Sequence, residues 1–151
     1  MNKPDTENPF VESYLLYLLA AVSDKASAEF HARVRATGLR AIEWRVLAIL
    51  MDRDGAMITR LAEYALVEQS RLTRIIAQMD ERGLVSRQSD AEDGRRVRVF
   101  LTAAGKRKGR ALIEDARHHE QALLATLDAQ TASKLKPALH ELLSCLNDRV
   151  D

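Results

Sequence analysis

The sequence predicts a mainly α-helical protein that carries one small β-hairpin. Apolar residues recur at spacings of three and four along most of the 151-residue chain, which is typical of amphipathic helices. The exception is residues 84–101, where two short strand-like runs flank a turn-rich segment. The helix before it, residues 68–82, carries arginines on its polar side. Together these observations predict a winged helix-turn-helix, with a helical dimerisation region formed by both termini.

The composition predicts one domain, residues 1–151, in the cytoplasm. Hydrophobic residues make up 46% of the chain, and the apolar stretch at residues 15–22 is too short to span a membrane. A single cysteine excludes an intrachain disulfide framework. Aromatic residues make up only 5%, which disfavours nucleic-acid binding by base stacking. Because the net charge is only +1, affinity for DNA must come from local basic patches, and residues 71–108 lean basic.

The N-terminal part predicts one long helix followed by two shorter ones. Residues 1–9 contain two prolines and are expected to form a loose arm. Residues 10–35 follow a helical pattern whose apolar stripe is wide enough to need more than one packing partner. Residues 41–53 and 58–64 predict the second and third helices, separated by the turn signal Asp54-Gly55.

The fourth helix, residues 68–82, is predicted to have an apolar and a polar side. Helical spacing places four apolar residues on one side: Leu72, Ile75, Ile76 and Met79. The opposite side carries Gln69, Ser70, Arg71, Thr73, Arg74 and Gln78. Gly83 then ends the helix as a C′ glycine, a position that commonly has a positive φ. The helix is therefore expected to pack through its apolar side and to present the polar side outward.

A hairpin and two helices complete the predicted elements. The strands are residues 84–87 and 97–101, and Thr102 is placed to N-cap a helix that extends to about residue 127. The last helix, from about residue 131, carries leucines near heptad spacing: Leu135, Leu139, Leu142, Leu143 and Leu146. This seam and the first helix predict a dimer interface. Cys145 lies among the leucines and is expected to be packed and inert.

The motifs around the hairpin resemble those of the MarR family of bacterial transcription regulators. The matching segments are Arg-Gly-Leu-Val at 82–85, Asp-Gly-Arg-Arg at 93–96 and Leu-Thr-Ala-Ala-Gly at 101–105. The resemblance implies an obligate homodimer built from residues 10–36 and 103–148, with a DNA-binding lobe at residues 40–101. It also implies a palindromic operator in double-stranded DNA, with the fourth helix in the major groove and the wing in the minor groove. The expected function is a ligand-responsive repressor.

Nine residues are candidate DNA contacts: Gln69, Ser70, Arg71, Thr73, Arg74, Arg87, Asp93, Arg95 and Arg96. Arginine reaches phosphates or guanine edges, and glutamine pairs with adenine. In the wing, Arg95 is expected to enter the minor groove, and the resemblance implies that Asp93 holds its guanidinium in place. Arg87, Arg96 and also Arg98 are expected to contact phosphates. The alternatives are a solvated helix face and an ordinary hairpin tip, where the acidic Asp90 and Glu92 oppose a purely electrostatic grip.

A crevice between the first, second and fifth helices is the candidate effector site. It would be lined by Tyr14, Tyr17, His31 and Trp44, with Ser23 and Ile113 nearby. In the family that this chain resembles, members that bind aromatic carboxylates often place an arginine in the first helix; residues 15–19 contain none, which disfavours a carboxylate ligand. Packing of the core explains these residues equally well.

Other kinds of site and function are disfavoured. The adjacent His118 and His119 do not share a helix face, and residues 90–94 lack the closing glutamate of a calcium loop, so no metal or cofactor is expected. The sequence has no nucleophile–base pair or phosphate-cradling glycine loop, so an enzyme is not expected. The remaining alternative is a winged-helix protein-interaction module without operator binding.

Overall fold

The computed structural model describes residues 9–148. Their helices are α1 (Phe10–Ser13), α2 (Leu15–Ala36), α3 (Ala41–Asp52), α4 (Ile58–Ala65), α5 (Gln69–Glu81), α6 (Ala103–Leu124) and α7 (Ala129–Asn147). The strands are β1 (Ala56–Met57), β2 (Val85–Ser89) and β3 (Val97–Leu101). This confirms the mainly α fold with a small β-wing. The expected arm, residues 1–9, lies outside the described residues except for Pro9.

The described chain forms two compact units, residues up to 113 and residues from 114 onward, and the boundary falls within α6. The prediction of a single domain stays a prediction. None of the described helices combines the length and apolarity that crossing a bilayer requires.

The prediction of one uninterrupted first helix is wrong. Tyr14 has extended backbone geometry, with ψ of 120°, and separates α1 from α2. Its ring stacks on Phe10 with 5.0 Å between centroids. Tyrosine has no backbone signature that marks a helix break, so the apolar periodicity passes through this position unchanged.

The wing contains a third strand that the sequence did not predict. The sheet order is β1–β3–β2 and both pairings are antiparallel, with Ala56 opposite Val99 and Val85 opposite Leu101. Gly55 precedes β1 with φ of +80° and donates its N–H to the Val99 carbonyl at 3.0 Å. The third strand ties the wing to the start of α4.

The start of α6 packs closely against the start of the wing. Thr102 N-caps the helix as predicted, since its Oγ1 accepts from the Gly105 N–H at 3.0 Å, and Gly83 has the predicted positive φ, at +70°. A Cβ added at Gly105 would lie 2.0 Å from the Leu84 carbonyl oxygen. This close approach therefore requires glycine.

Both units expose apolar residues. In α1, α2 and the residue between them these are Phe10, Val11, Tyr14, Leu15, Leu16, Tyr17, Leu18 and Val22. In α7 they are the five leucines of the predicted seam, Leu135, Leu139, Leu142, Leu143 and Leu146. Cys145 is also exposed, so the prediction of a packed cysteine is wrong for the single chain.

Candidate nucleic-acid interface

The two sides of α5 are those that the sequence predicts. Leu72, Ile75, Ile76 and Met79 are buried, and the residues of the polar side are exposed. Arg71 and Arg74 form no ion pair or side-chain hydrogen bond with another residue between 9 and 148. The Ser70 hydroxyl donates to Glu68 at 2.6 Å and holds the pKa of that carboxyl below its usual value. The face therefore offers two available guanidinium groups beside one carboxylate.

A buried carboxylate fixes α5 against α3. Glu43 is fully buried and accepts hydrogen bonds from the Arg40 N–H and guanidinium, both at 2.8 Å, and from Arg82 at 2.9 Å. Burial raises the pKa of Glu43, but the hydrogen bonds from Arg40 and Arg82 outweigh it, so the net pKa is lowered. Arg40 also donates to Gln78 Oε1 at 2.6 Å. The start of α3 is thereby joined to the C-terminal half of α5.

The wing tip is organised around Asp90. This carboxylate is buried and accepts from the backbone N–H groups of Glu92 and Asp93, at 2.9 and 3.2 Å, and from Arg98. The Glu92 N–H and then Arg98 hold the pKa of Asp90 below its usual value. Arg98 also donates to the Gly55 carbonyl at 3.0 Å. Asp90 therefore stabilises the tip from inside, and Arg98, whose side chain is 42% exposed, joins the tip to Gly55. The expected contact of Arg98 with phosphates stays a prediction.

The other wing residues differ in how firmly they are held. Arg95 is 96% exposed at the tip, and its Nε lies 3.7 Å from Asp93 Oδ1. Asp93 also lies 3.5 Å from Arg96 Nε, so it is shared between two arginines and holds neither tightly. Arg87 forms a closer pair with Asp80 of α5, at 2.8 Å.

Two grooves run along α5. The wing-side groove, of about 520 Å³, is lined by Met57, Ile58, Thr59, Gln69, Thr73, Arg95, Arg96 and Val97. The α3-side groove, of about 680 Å³, is lined by Arg40, Ala41, Ile42, Arg45, Leu66, Val67, Arg71, Arg74, Ile75 and Gln78. The wing-side groove brings four candidate DNA contacts from α5 and the wing into one concave surface. Arg40, which precedes α3, and Arg45, which lies within it, also line the α3-side groove, and no local motif in the sequence marks either of them.

The four candidate effector residues are not brought together within one chain. Phe30 packs edge-on against Trp44, with 5.1 Å between centroids, and lies 6.4 Å from His31. Burial, Arg45 and Arg35 lower the pKa of His31. Tyr17 lies fourteen residues before His31 on the same helix, about 21 Å along its axis. Neither groove beside α5 includes any of the four.

Comparison with known proteins identifies the family. Residues 37–96 match the family model described as MarR family. The crystal structure of the MarR family transcriptional regulator SPO1453 from Silicibacter pomeroyi DSS-3 is 54% identical, with a TM-score of 0.84 over 92% of this chain and 99% of that chain. The chain belongs to the MarR family of transcriptional regulators.

Other similar proteins are more distant in sequence. The HTH-type transcriptional repressor IacR of Pseudomonas putida is 31% identical over 94 residues, 62% of this chain and 56% of that protein. The organic hydroperoxide resistance transcriptional regulator of Bacillus subtilis is 24% identical over 95% of this chain and 99% of that protein. The S. aureus MepR–DNA complex shares the fold, with a TM-score of 0.75 at 21% identity over 86% of this chain and 96% of that chain.

Proposed function

We propose that this MarR-family chain binds a palindromic operator in double-stranded DNA as a homodimer and represses transcription. The observation that carries the proposal is the wing-side groove. It joins the exposed face of α5 to the two arginines of the wing tip, Arg95 and Arg96. A protein that reads a major groove with a helix and the adjacent minor groove with an arginine needs this arrangement.

The nine candidate residues take distinct parts in this function. Gln69, Arg71 and Arg74 contact base edges or phosphates in the major groove, and Ser70 and Thr73 contact phosphates near the helix start. Arg95 enters the minor groove, and its full exposure leaves it available to do so. Arg87 and Arg96 contact phosphates. Asp93, between Arg95 and Arg96, limits where both guanidinium groups point.

The exposed apolar residues support the homodimer. Monomeric proteins rarely expose large contiguous apolar patches, and here α1, α2 and α7 all carry exposed leucines or aromatics. A two-fold dimer presents two copies of α5, so the half-sites of its operator lie roughly 34–36 Å apart, one turn of the duplex. Repression is supported by the similarity to IacR, a transcriptional repressor. The response to a small-molecule effector at Tyr14, Tyr17, His31 and Trp44 stays a prediction.

Selection of duplexes from a random-sequence library, followed by binding across a salt series, tests this proposal. We expect enrichment of a palindrome, and an affinity for it that exceeds that for a scrambled duplex and falls steeply with salt. The double variant Arg71→Gln/Arg74→Gln should lose this affinity, while the charge-matched Lys25→Gln/Lys134→Gln should keep it. No enrichment, with no duplex binding at low salt, would contradict the proposal and favour a protein-interaction module.

A further inference from the structure

The α3-side groove carries more positive charge than the protein itself neutralises. Its lining includes four guanidinium groups, from Arg40, Arg45, Arg71 and Arg74. Among residues 9–148, the carboxylate that forms an ion pair with any of these four is Glu43, which is buried and shared with Arg82. The exposed Glu68 interacts with Arg74 without forming an ion pair, so the four arginines together with Arg82 still outnumber the carboxylates near them. Arg45 is held by the Ala65 carbonyl, an uncharged acceptor, at 2.8 Å. A concave surface with this excess of positive charge favours an anionic ligand.

The two grooves lie on different flanks of the exposed face of α5. At about 100° per residue, Gln69 and Thr73 of the wing-side groove point roughly 150° away from the mean direction of Arg71, Arg74 and Gln78. The buried apolar residues point between them on one side, toward the core. The outward face that carries Ser70 lies between them on the other side. A helix inserted into a major groove has one sugar–phosphate backbone along each flank.

We propose that the α3-side groove binds the DNA backbone along the flank of α5 opposite the wing, with Arg40 and Arg45 as phosphate contacts in addition to Arg71 and Arg74. The inference rests on the proposed function, because it assumes that α5 enters the major groove. It adds a second helix, α3, to the DNA-binding surface.

The contacts of Arg40 and Arg45 hold both side chains in position before DNA is bound. Arg40 donates to Glu43 and Gln78, and Arg45 donates to the last residue of α4. Preorganised guanidinium groups lose less side-chain freedom when they bind a phosphate. Leu66, at the turn between α4 and α5, is 83% exposed in the same groove and offers an apolar surface for deoxyribose.

The deciding variant is Arg45→Gln, because Arg45 lies outside the recognition helix. The full-length protein is titrated with the selected operator and with a scrambled duplex across a potassium chloride series. We expect Arg45→Gln to weaken binding to both duplexes by the same factor. The magnitude of the slope of log K against log salt should fall by about 0.9, because one phosphate contact is lost. Lys25→Gln removes a charge from α2 and lines neither groove, so its slope should equal that of the wild type. Thermal melting verifies that both variants are folded.

Neutral methylphosphonate substitutions at single backbone positions locate the contact. Some substitutions on the flank opposite the wing should weaken DNA binding by the wild type but leave binding by Arg45→Gln unchanged. Substitutions beside the wing should weaken DNA binding by both proteins. The inference would be overturned, and the proposed function left intact, if Arg45→Gln had the salt slope of the wild type and the same sensitivity to each methylphosphonate substitution. Absence of wild-type binding to either duplex would overturn both.

A free anion is the competing occupant of the α3-side groove, and inorganic phosphate is the probe for it. Two results together would show that the groove binds a free anion rather than the DNA backbone. Potassium phosphate at matched ionic strength would raise the melting temperature of the wild type but not that of Arg45→Gln, and the two proteins would have the same salt slope for DNA binding. Those results would also overturn the inference.

Discussion

At the scale of residues, two buried carboxylates hold the two parts of the interface. Glu43 joins α3 to α5 through Arg40 and Arg82, and Asp90 holds the wing tip through Arg98 and two backbone N–H groups. Buried charges persist in proteins when they are paired and hydrogen-bonded, and removing the charge from such a group is costly. Both carboxylates are buried, and each holds at least one arginine of the proposed interface in position.

Asp90→Asn should weaken operator binding through Arg95. The amide loses the charge-assisted bond to Arg98, so the tip loosens and Arg95 is no longer directed into the minor groove. Arg95→Ala alone should reduce the free energy of operator binding by about 1–3 kcal/mol. The loss in Asp90→Asn should be no larger. In a double-mutant cycle measured by fluorescence anisotropy, Asp90→Asn should add little to Arg95→Ala. Fully additive losses would show that Asp90 acts by another route.

Glu43→Gln should remove a pH-dependent part of the stability. Because the folded-state pKa of Glu43 is lowered from 4.5, its charged form contributes stability that is present above pH 4.5 and is lost as pH falls through the lower folded value. Urea unfolding at neutral pH should show a loss of about 1–3 kcal/mol. The difference between wild type and variant should shrink below pH 4.5. The control is Glu63→Gln, which alters an exposed pair with Arg60. A difference that is constant with pH would contradict this role.

At the scale of elements, the sequence predicts what local periodicity determines. The two sides of α5, the Thr102 cap and the positive φ of Gly83 are confirmed, because each depends on residues within one or two turns. The two-residue strand β1 was missed because it is too short to show alternation and exists only through pairing with β3.

The positions of Arg98 and Arg40 depend on contacts between residues distant in sequence. The partners of Arg98 include Gly55, 43 positions earlier, and Arg40 meets Gln78 across 38 positions. No local pattern reveals such pairings. Asp90 was interpreted as a surface charge for the same reason, since its burial follows from the folding of the tip around it.

The close contact between α6 and the wing predicts that alanine destabilises the protein at Gly105 but not at Gly94. Gly105→Ala should destabilise the protein by about 1–3 kcal/mol, because its Cβ would collide with the Leu84 backbone. Gly94→Ala has open space and should leave the free energy of unfolding nearly unchanged. Denaturant unfolding of both variants provides the comparison. A Gly105→Ala protein as stable as the wild type would refute the close approach.

At the scale of the whole molecule, the proposed function depends on association of two chains. The core of the first unit lies between α3, α4, α5 and the wing, whereas the leucines of α7 are exposed in the single chain. Burial of these leucines against a second copy would remove apolar surface from water. It would also supply the two-fold symmetry that a palindromic operator requires.

Leu139→Asp and Leu142→Asp should convert the dimer to monomers and abolish operator binding. Both leucines lie on the exposed apolar stripe of α7, so the added charge would have to be desolvated only in the dimer. Ser144→Asp places the same charge on the opposite side of α7 and should leave the dimer intact. Sedimentation equilibrium measures the outcome. Dimers that persist in both leucine variants would place the interface elsewhere.

The most direct test of the account is a hydroxyl-radical footprint of the wild type and Arg95→Ala on the selected operator. We predict two protected half-sites about one helical turn apart, each with an additional protected minor-groove segment beside it. Arg95→Ala should lose only the minor-groove protection and keep the rest. A footprint that is identical in the two proteins, or protection without two-fold symmetry, would contradict the assignment of α5 and the wing as one DNA-reading surface in a symmetric dimer.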